Sequence, residues 1–105
     1  MSTAAVTERI ALDREKLAGF CRKWRITELA LFGSVLREDF GPASDVDVLV
    51  TFATDAPWSL WDFAAIRSEL AQILGRRIDL IEKKAIRNPF VRHEVLTTQV
   101  VIYAA

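Results

Sequence analysis

Three aspartates have the types and spacing to do chemistry. Asp45 and Asp47 stand two residues apart at the start of a β-branched run over residues 46–52, and Asp79 lies in a second alternating run over residues 77–82. Side chains alternate across a strand, so Asp45 and Asp47 project from one face while Val46, Val48 and Val50 project from the other into a core. Two unpaired carboxylates on one face repel, and a divalent cation is their natural partner; oxygen donors favour magnesium or manganese. Asp79 shares a face with Ile81, opposite Ile78 and Leu80. If its strand lies beside the second, it completes a two-metal site, with metals about 3.5–4 Å apart clamping attacking and leaving oxygens.

Upstream, Gly33 and Ser34 close a short apolar run over residues 29–32, and ten residues separate Ser34 from Asp45. A glycine after a strand lets the backbone turn sharply and come close to a ligand, and Ser34 is placed to cap a short helix over residues 35–39. Exposed amides at such a helix start form an anion site. With the Ser34 hydroxyl added, this corner suits the β- and γ-phosphates of a nucleotide. Gly33-Ser34 alone, or an Asp-x-Asp pair alone, also fits ordinary turns and strand ends; the information lies in the combination at this spacing.

Elements that could position these groups are legible from periodicity. Ile10, Leu17, Phe20, Cys21 and Trp24 recur at helical spacing and predict an amphipathic helix over residues 8–24. Ser59 with Asp62 resembles a capping box, and Trp58 with Phe63 has hydrophobic-staple spacing. A helix should start there, carry the stripe Phe63, Ile66, Leu70 and Ile73, and stop at Gly75. For Trp58 and Trp61 a staple and core role is favoured over a base-binding pocket. Asn88 and Pro89 read as an N-cap and first helical residue of a last helix over residues 89–98. Residues 100–103 are β-rich and read as a short edge strand, with a continuing helix as the alternative. The order is α-β-(short α)-β-α-β-α, an α+β fold with a small mixed sheet packed against helices.

At 105 residues and 51% hydrophobic content, the chain fits one compact domain, residues 1–105. A domain this small buries a modest fraction of its surface, so completion by a partner is expected. Fourteen basic and fourteen acidic side chains cancel, which gives no drive for non-specific nucleic-acid binding. Six acids and no Lys or Arg lie from Glu38 to Asp62, while Arg67 to Arg92 holds seven basic residues, an asymmetry suited to a cation site beside a phosphate-attracting surface. A single cysteine, Cys21, offers no disulfide framework and no cysteine-based zinc site. With neither a basic-then-apolar leader nor an apolar run of about 18 residues, a cytoplasmic protein without a membrane span is expected.

Residues 31–37, Leu-Phe-Gly-Ser-Val-Leu-Arg, with residues 44–50, Ser-Asp-Val-Asp-Val-Leu-Val, closely resemble the signature of the DNA polymerase β-like nucleotidyltransferase superfamily. The similarity is to its minimal members, which share the length and a tail like Glu94-Val95-Leu96 and Val101-Ile102-Tyr103-Ala104. That resemblance implies the polymerase β-like fold, with Gly33, Ser34, Arg37 and Ser44 contacting the triphosphate of ATP. It implies Asp45, Asp47 and Asp79 as catalytic, magnesium-binding carboxylates, with Asp79 helping to deprotonate the attacking hydroxyl. In many members a glycine follows the arginine; here Glu38 does. Minimal members are typically antitoxins that transfer AMP to a tyrosine of an all-helical HEPN ribonuclease toxin, so a hetero-oligomer with such a toxin is implied. The lack of an acceptor-recognition domain points the same way.

Three other readings compete. A catalytically idle antitoxin would act by binding the toxin, through apolar and aromatic residues such as Trp58, Trp61, Phe90 and Tyr103, and a self-sufficient enzyme would modify another protein or a small molecule. Arg87, Asn88 and His93 resemble the Arg-to-His spacing of a HEPN ribonuclease itself, but the strand patterns around Asp45 and Asp79 oppose an all-helical fold. His93 then reads as a helix-surface histidine.

Overall fold

In the computed structural model, which describes residues 10 and 12–105, the elements follow in the order α1 (Arg14–Lys23), β1 (Ile26–Phe32), a 3-10 turn (Gly33–Leu36), β2 (Val46–Phe52), α2 (Leu60–Leu74), β3 (Ile78–Glu82), a second 3-10 turn (Lys83–Ala85), α3 (Pro89–Thr98) and β4 (Val100–Ala104). The strands form one sheet in the order β3-β2-β1-β4. β1 runs antiparallel to both β2 and β4, and β2 runs parallel to β3. The parallel pair requires a crossover, which α2 supplies. The α+β class and the mixed sheet are as the sequence predicts, and a four-stranded sheet rules out the all-helical alternative.

Several boundaries follow local chemistry. α2 begins with the predicted box: the Ser59 hydroxyl accepts from the Asp62 amide at 3.2 Å and the Asp62 carboxylate accepts from the Ser59 amide at 2.9 Å. Such a cap is worth about 1 kcal/mol. Gly75 ends the helix at φ +65°, a left-handed conformation that favours glycine. At α3, the Asn88 side chain accepts from the amides of Phe90 (2.9 Å) and Val91 (3.2 Å), ahead of Pro89 at the first turn.

Other boundaries correct the sequence reading. α1 starts at Arg14, not residue 8, because the Asp13 carboxylate accepts from the Lys16 amide at 3.1 Å and caps the helix there. Ile10 is buried without being helical, and residues 1–9 and 11 lie outside the described residues. β1 extends three residues earlier than predicted, to Ile26, since pairing on both edges compensates for the weak strand character of Thr27 and Glu28. The helix expected over residues 35–39 is instead one 3-10 turn with no side-chain cap. The tail resolves as the edge strand β4.

Both sheet faces are covered. On one, Leu29, Leu31, Val46, Val48, Val50 and Leu80 pack under α1 and α2, which contribute Leu17, Phe20, Ile66 and Leu70. On the other, Ala30, Leu49 and Val95 form a smaller cluster with Phe32, Ile81 and Ile86, so α3 roofs that face. Full burial of a leucine or valine contributes about 1.5–3 kcal/mol, which makes these rows the anchors of strand register. Among the described residues, no helix is long and apolar enough to cross a membrane.

Candidate active site

Register brings the acids together across strands. Asp47 is the partner of Phe32 on β1 and of Asp79 on β3, so Phe32, Asp47 and Asp79 form one row on one face. The next row on that face is Ala30, Leu49 and Ile81, buried or half-buried beneath α3. The apolar row is roofed and the acidic row sits at the margin of the roof. Asp79 is exposed and Asp47 half-buried. Neighbouring strands lie about 4.8 Å apart, so two carboxylates side by side in one row stand within reach of a shared cation.

Gly33 has φ +62°, and a Cβ built on it would lie 2.6 Å from Asp47 Oδ2. The turn after β1 therefore needs glycine twice, for its backbone and for its approach to the carboxylate. That approach lets the Ser34 amide donate to Asp47 Oδ2 at 2.9 Å. Ser34 does not cap a helix as predicted. Its hydroxyl donates instead to the Asp45 carbonyl at 2.5 Å, pinning the turn to the residue that opens β2.

Asp45 immediately precedes β2, and its carboxylate meets the Arg77 guanidinium at 3.0 Å. Arg77 also donates to the Ala43 carbonyl at 3.1 Å. Among the described residues no set of three or more His, Cys, Asp or Glu is gathered closely enough to hold a metal. Asp45 turned toward Arg77 is the physical reason we identify. The donors nonetheless suit a hard divalent cation: all are carboxylate oxygens, and Asp47 and Asp79 are register neighbours. The Asp45–Arg77 pair is largely exposed, at 56% and 80% respectively, so it holds Asp45 by at most about 1 kcal/mol.

A cleft of about 530 Å³, lined by Gly33, Ser34, Arg37, Asp47, Glu94 and Thr98 among others, lies on the turn side of the row. Its size suits a nucleotide-sized ligand. Arg37 is exposed there and pairs with Asp39 at 3.1 Å. The Ser44 hydroxyl oxygen accepts from the Gly41 amide at 3.0 Å, which leaves its own proton for a ligand. Glu94 and Thr98, one turn apart on α3, were not read as site residues; only their i, i+4 spacing beside the tail resemblance could have pointed to them.

Asp79 lines a different groove, about 370 Å³, with Leu60, Trp61, Ala64 and Arg67. Here the core reading holds for Trp58 and needs correction for Trp61. Trp58 is a packing residue, edge-on to Trp24 at 5.2 Å, with its indole N–H donating to the Trp24 carbonyl at 2.7 Å. Trp61 is 84% exposed, as is Leu60, because both fall off the buried stripe of α2. His93 is on the α3 surface, as predicted.

Comparison with known proteins identifies the family. The pattern of the nucleotidyltransferase domain family matches residues 14–101. A Methanocaldococcus jannaschii protein named as a protein adenylyltransferase, MJ1217, is 34% identical over 95 residues, covering 90% of this chain and 93% of the relative. A toxin–antitoxin structure with AMP-PNP contains a chain that superposes with a TM-score of 0.67 at 20% identity, over 90% of this chain and 75% of that one. A chain of the complex between a tri-AMPylated Shewanella oneidensis HEPN toxin and its MNT antitoxin superposes at 0.60 and 19% identity, over 88% and 70%. The fold, the acidic row beside its glycine turn, and a match spanning most of the sequence make this chain a member of the nucleotidyltransferase domain family.

Proposed function

We propose that this protein is a cytoplasmic, Mg²⁺-dependent adenylyltransferase that moves AMP from ATP onto a tyrosine hydroxyl of a partner HEPN ribonuclease toxin, and so acts as its antitoxin. The observation that carries the reading is the Asp47–Asp79 row, with a nucleotide-sized cleft on Asp47 and an apolar, aromatic groove on Asp79. Donor and acceptor would approach from opposite sides of the carboxylates. The protein adenylyltransferase relative and the AMPylated HEPN toxin in a structurally similar complex support the choice of AMP and of acceptor.

In this reading Gly33 and Ser34 bind the β- and γ-phosphates, the Ser34 hydroxyl leaving the Asp45 carbonyl to donate to a phosphate oxygen, Arg37 neutralises phosphate charge, and the Ser44 hydroxyl donates to a phosphate oxygen. Asp45, Asp47 and Asp79 would hold Mg²⁺, which when bound supplies charge neutralisation on the triphosphate and acidifies a coordinated hydroxyl. Asp79, facing the acceptor groove, takes up the tyrosine proton as its oxygen bonds to the α-phosphorus and the bond from that phosphorus to the departing pyrophosphate breaks. Leu60 and Trp61, exposed in the free chain, offer an apolar wall that a docked acceptor would cover, excluding the water that would otherwise compete as acceptor.

The test is transfer of α-phosphate-labelled AMP from Mg-ATP to the co-encoded HEPN protein. Labelling by the wild type and none by the Asp45→Asn/Asp47→Asn double variant, with folding retained, is expected. Failure of the active wild type to label its true partner refutes the enzymatic reading. A double variant that still silences the toxin without labelling it supports the idle-antitoxin alternative.

A further inference from the structure

The loop over residues 37–45 carries Ser44 and Asp45 from the 3-10 turn into β2. Within it the Phe40 amide donates to the Arg37 carbonyl at 3.3 Å, the Ser44 amide to the Gly41 carbonyl at 3.0 Å and the Gly41 amide to the Ser44 hydroxyl, and Arg37 pairs with Asp39 at 3.1 Å. Two such turns do not by themselves fix a loop against a domain. The Arg76 side chain, half-buried, bridges them. Its Nη2 donates to the Gly41 carbonyl and, at 3.2 Å, to the Ser44 carbonyl, and its guanidinium lies 4.3 Å from the centre of the Phe40 ring. Phe40 in turn packs against the main core.

Arg76 is itself anchored. Gly75 terminates α2, and the Arg76 amide donates back to the Ala71 carbonyl at 3.1 Å, so its backbone is tied to the end of a 15-residue helix. One donor nitrogen thus joins both ends of the Gly41–Ser44 turn to a rigid element. The second end is the carbonyl bonded to the Asp45 nitrogen. From this we infer that Arg76 is a positioning residue for metal binding: it fixes the end of the loop that delivers Asp45 to the start of β2, two residues before Asp47. Resting on the metal-site reading above, the inference adds a residue outside that site, one that touches neither nucleotide nor metal. Groups bonded directly to a ligand side chain commonly affect metal affinity by about 10–100-fold; Arg76 acts one step further out, through the backbone next to Asp45, so the lower end of that range is expected.

The test compares wild type, Arg76→Ala and Arg76→Lys by Mn²⁺ titration followed by electron paramagnetic resonance, by amide hydrogen exchange of the metal-free protein, and by urea unfolding. R76A should weaken Mn²⁺ binding about ten-fold. It should speed exchange at the Ser44 and Val46 amides and leave α2 core amides protected. R76K, which keeps a charge near the carbonyls but loses the flat contact with Phe40, should fall between, and it carries the comparison if R76A does not fold. Mn²⁺ affinity within two-fold of wild type in the folded variant overturns the inference, as does unchanged exchange at residues 44 and 46. A wild type that binds no Mn²⁺ overturns the metal-site reading and this inference with it. Exchange, which needs no metal, separates that outcome from a failure of the tether alone.

Discussion

Replacing Gly33 by alanine imposes two separable penalties. The first is conformational: at φ +62° an L-residue carries a cost of about 1–2 kcal/mol. The second is contact: the new Cβ would lie 2.6 Å from Asp47 Oδ2, well inside the ~3.3 Å at which carbon and oxygen normally meet. Relief requires the carboxylate or the turn to move, at a cost of about 1–3 kcal/mol, as for other overpacked sites. The total, roughly 2–5 kcal/mol, is a large part of the ~5–15 kcal/mol expected for such a domain and lowers the melting temperature by about 10 °C or more. Gly75 supplies the control. Its φ is +65°, but a Cβ added there would meet nothing within 4 Å, so Gly75→Ala carries the conformational penalty alone. Urea unfolding of both variants, each also in an Asp47→Ala background, isolates the contact as a double-mutant coupling. In that background Gly33→Ala should cost no more than Gly75→Ala, because the atom left at Asp47 is the Cβ, at an ordinary 3.7 Å. Equal costs for Gly33→Ala and Gly75→Ala with Asp47 present would refute the reasoning.

Two further outcomes test the scaffold. Burial pushes the Cys21 thiol up to about 12, so it should resist Ellman's reagent at pH 8 in the native protein and react at the rate of a free thiol only in denaturant. Fast native labelling would contradict the packing of α1. The Glu69 carboxylate is held below its usual range first by the Trp24 indole N–H, at 2.6 Å, and then by Lys23. A depressed native value stabilises the fold above the unfolded carboxylate range, and that contribution is lost as pH falls through the native value. Urea midpoints between pH 7 and pH 3 should therefore fall less steeply in Glu69→Gln than in the wild type, and equal slopes would exclude this pair as a source of acid sensitivity.

Local chemistry was readable in the sequence, since its partners lie within a few residues of one another. The Ser59–Asp62 box, the Asn88-Pro89 start, the alternation that buries Val46, Val48 and Val50, and the spacing from Gly33-Ser34 to Asp45 and Asp47 all emerged that way. They sufficed for an α+β chain with a carboxylate pair behind a glycine turn. What tertiary structure alone decided concerns pairing across the chain. Parallel alignment of β2 with β3 makes Asp79 the neighbour of Asp47, although 32 positions separate them in sequence. Long-range capture also turns Asp45 onto Arg77 and the Ser34 hydroxyl onto the Asp45 carbonyl, and it docks the loop on Arg76. The same holds for the second face of the sheet. Nothing in the local pattern of Leu49 or Val95 reveals that they meet, yet their contact sets where the roof of α3 ends and the acidic row begins. Helix starts and strand faces depend on a few adjacent residues, whereas register, ion-pair choice and roofing depend on which distant segments bury the most apolar surface together.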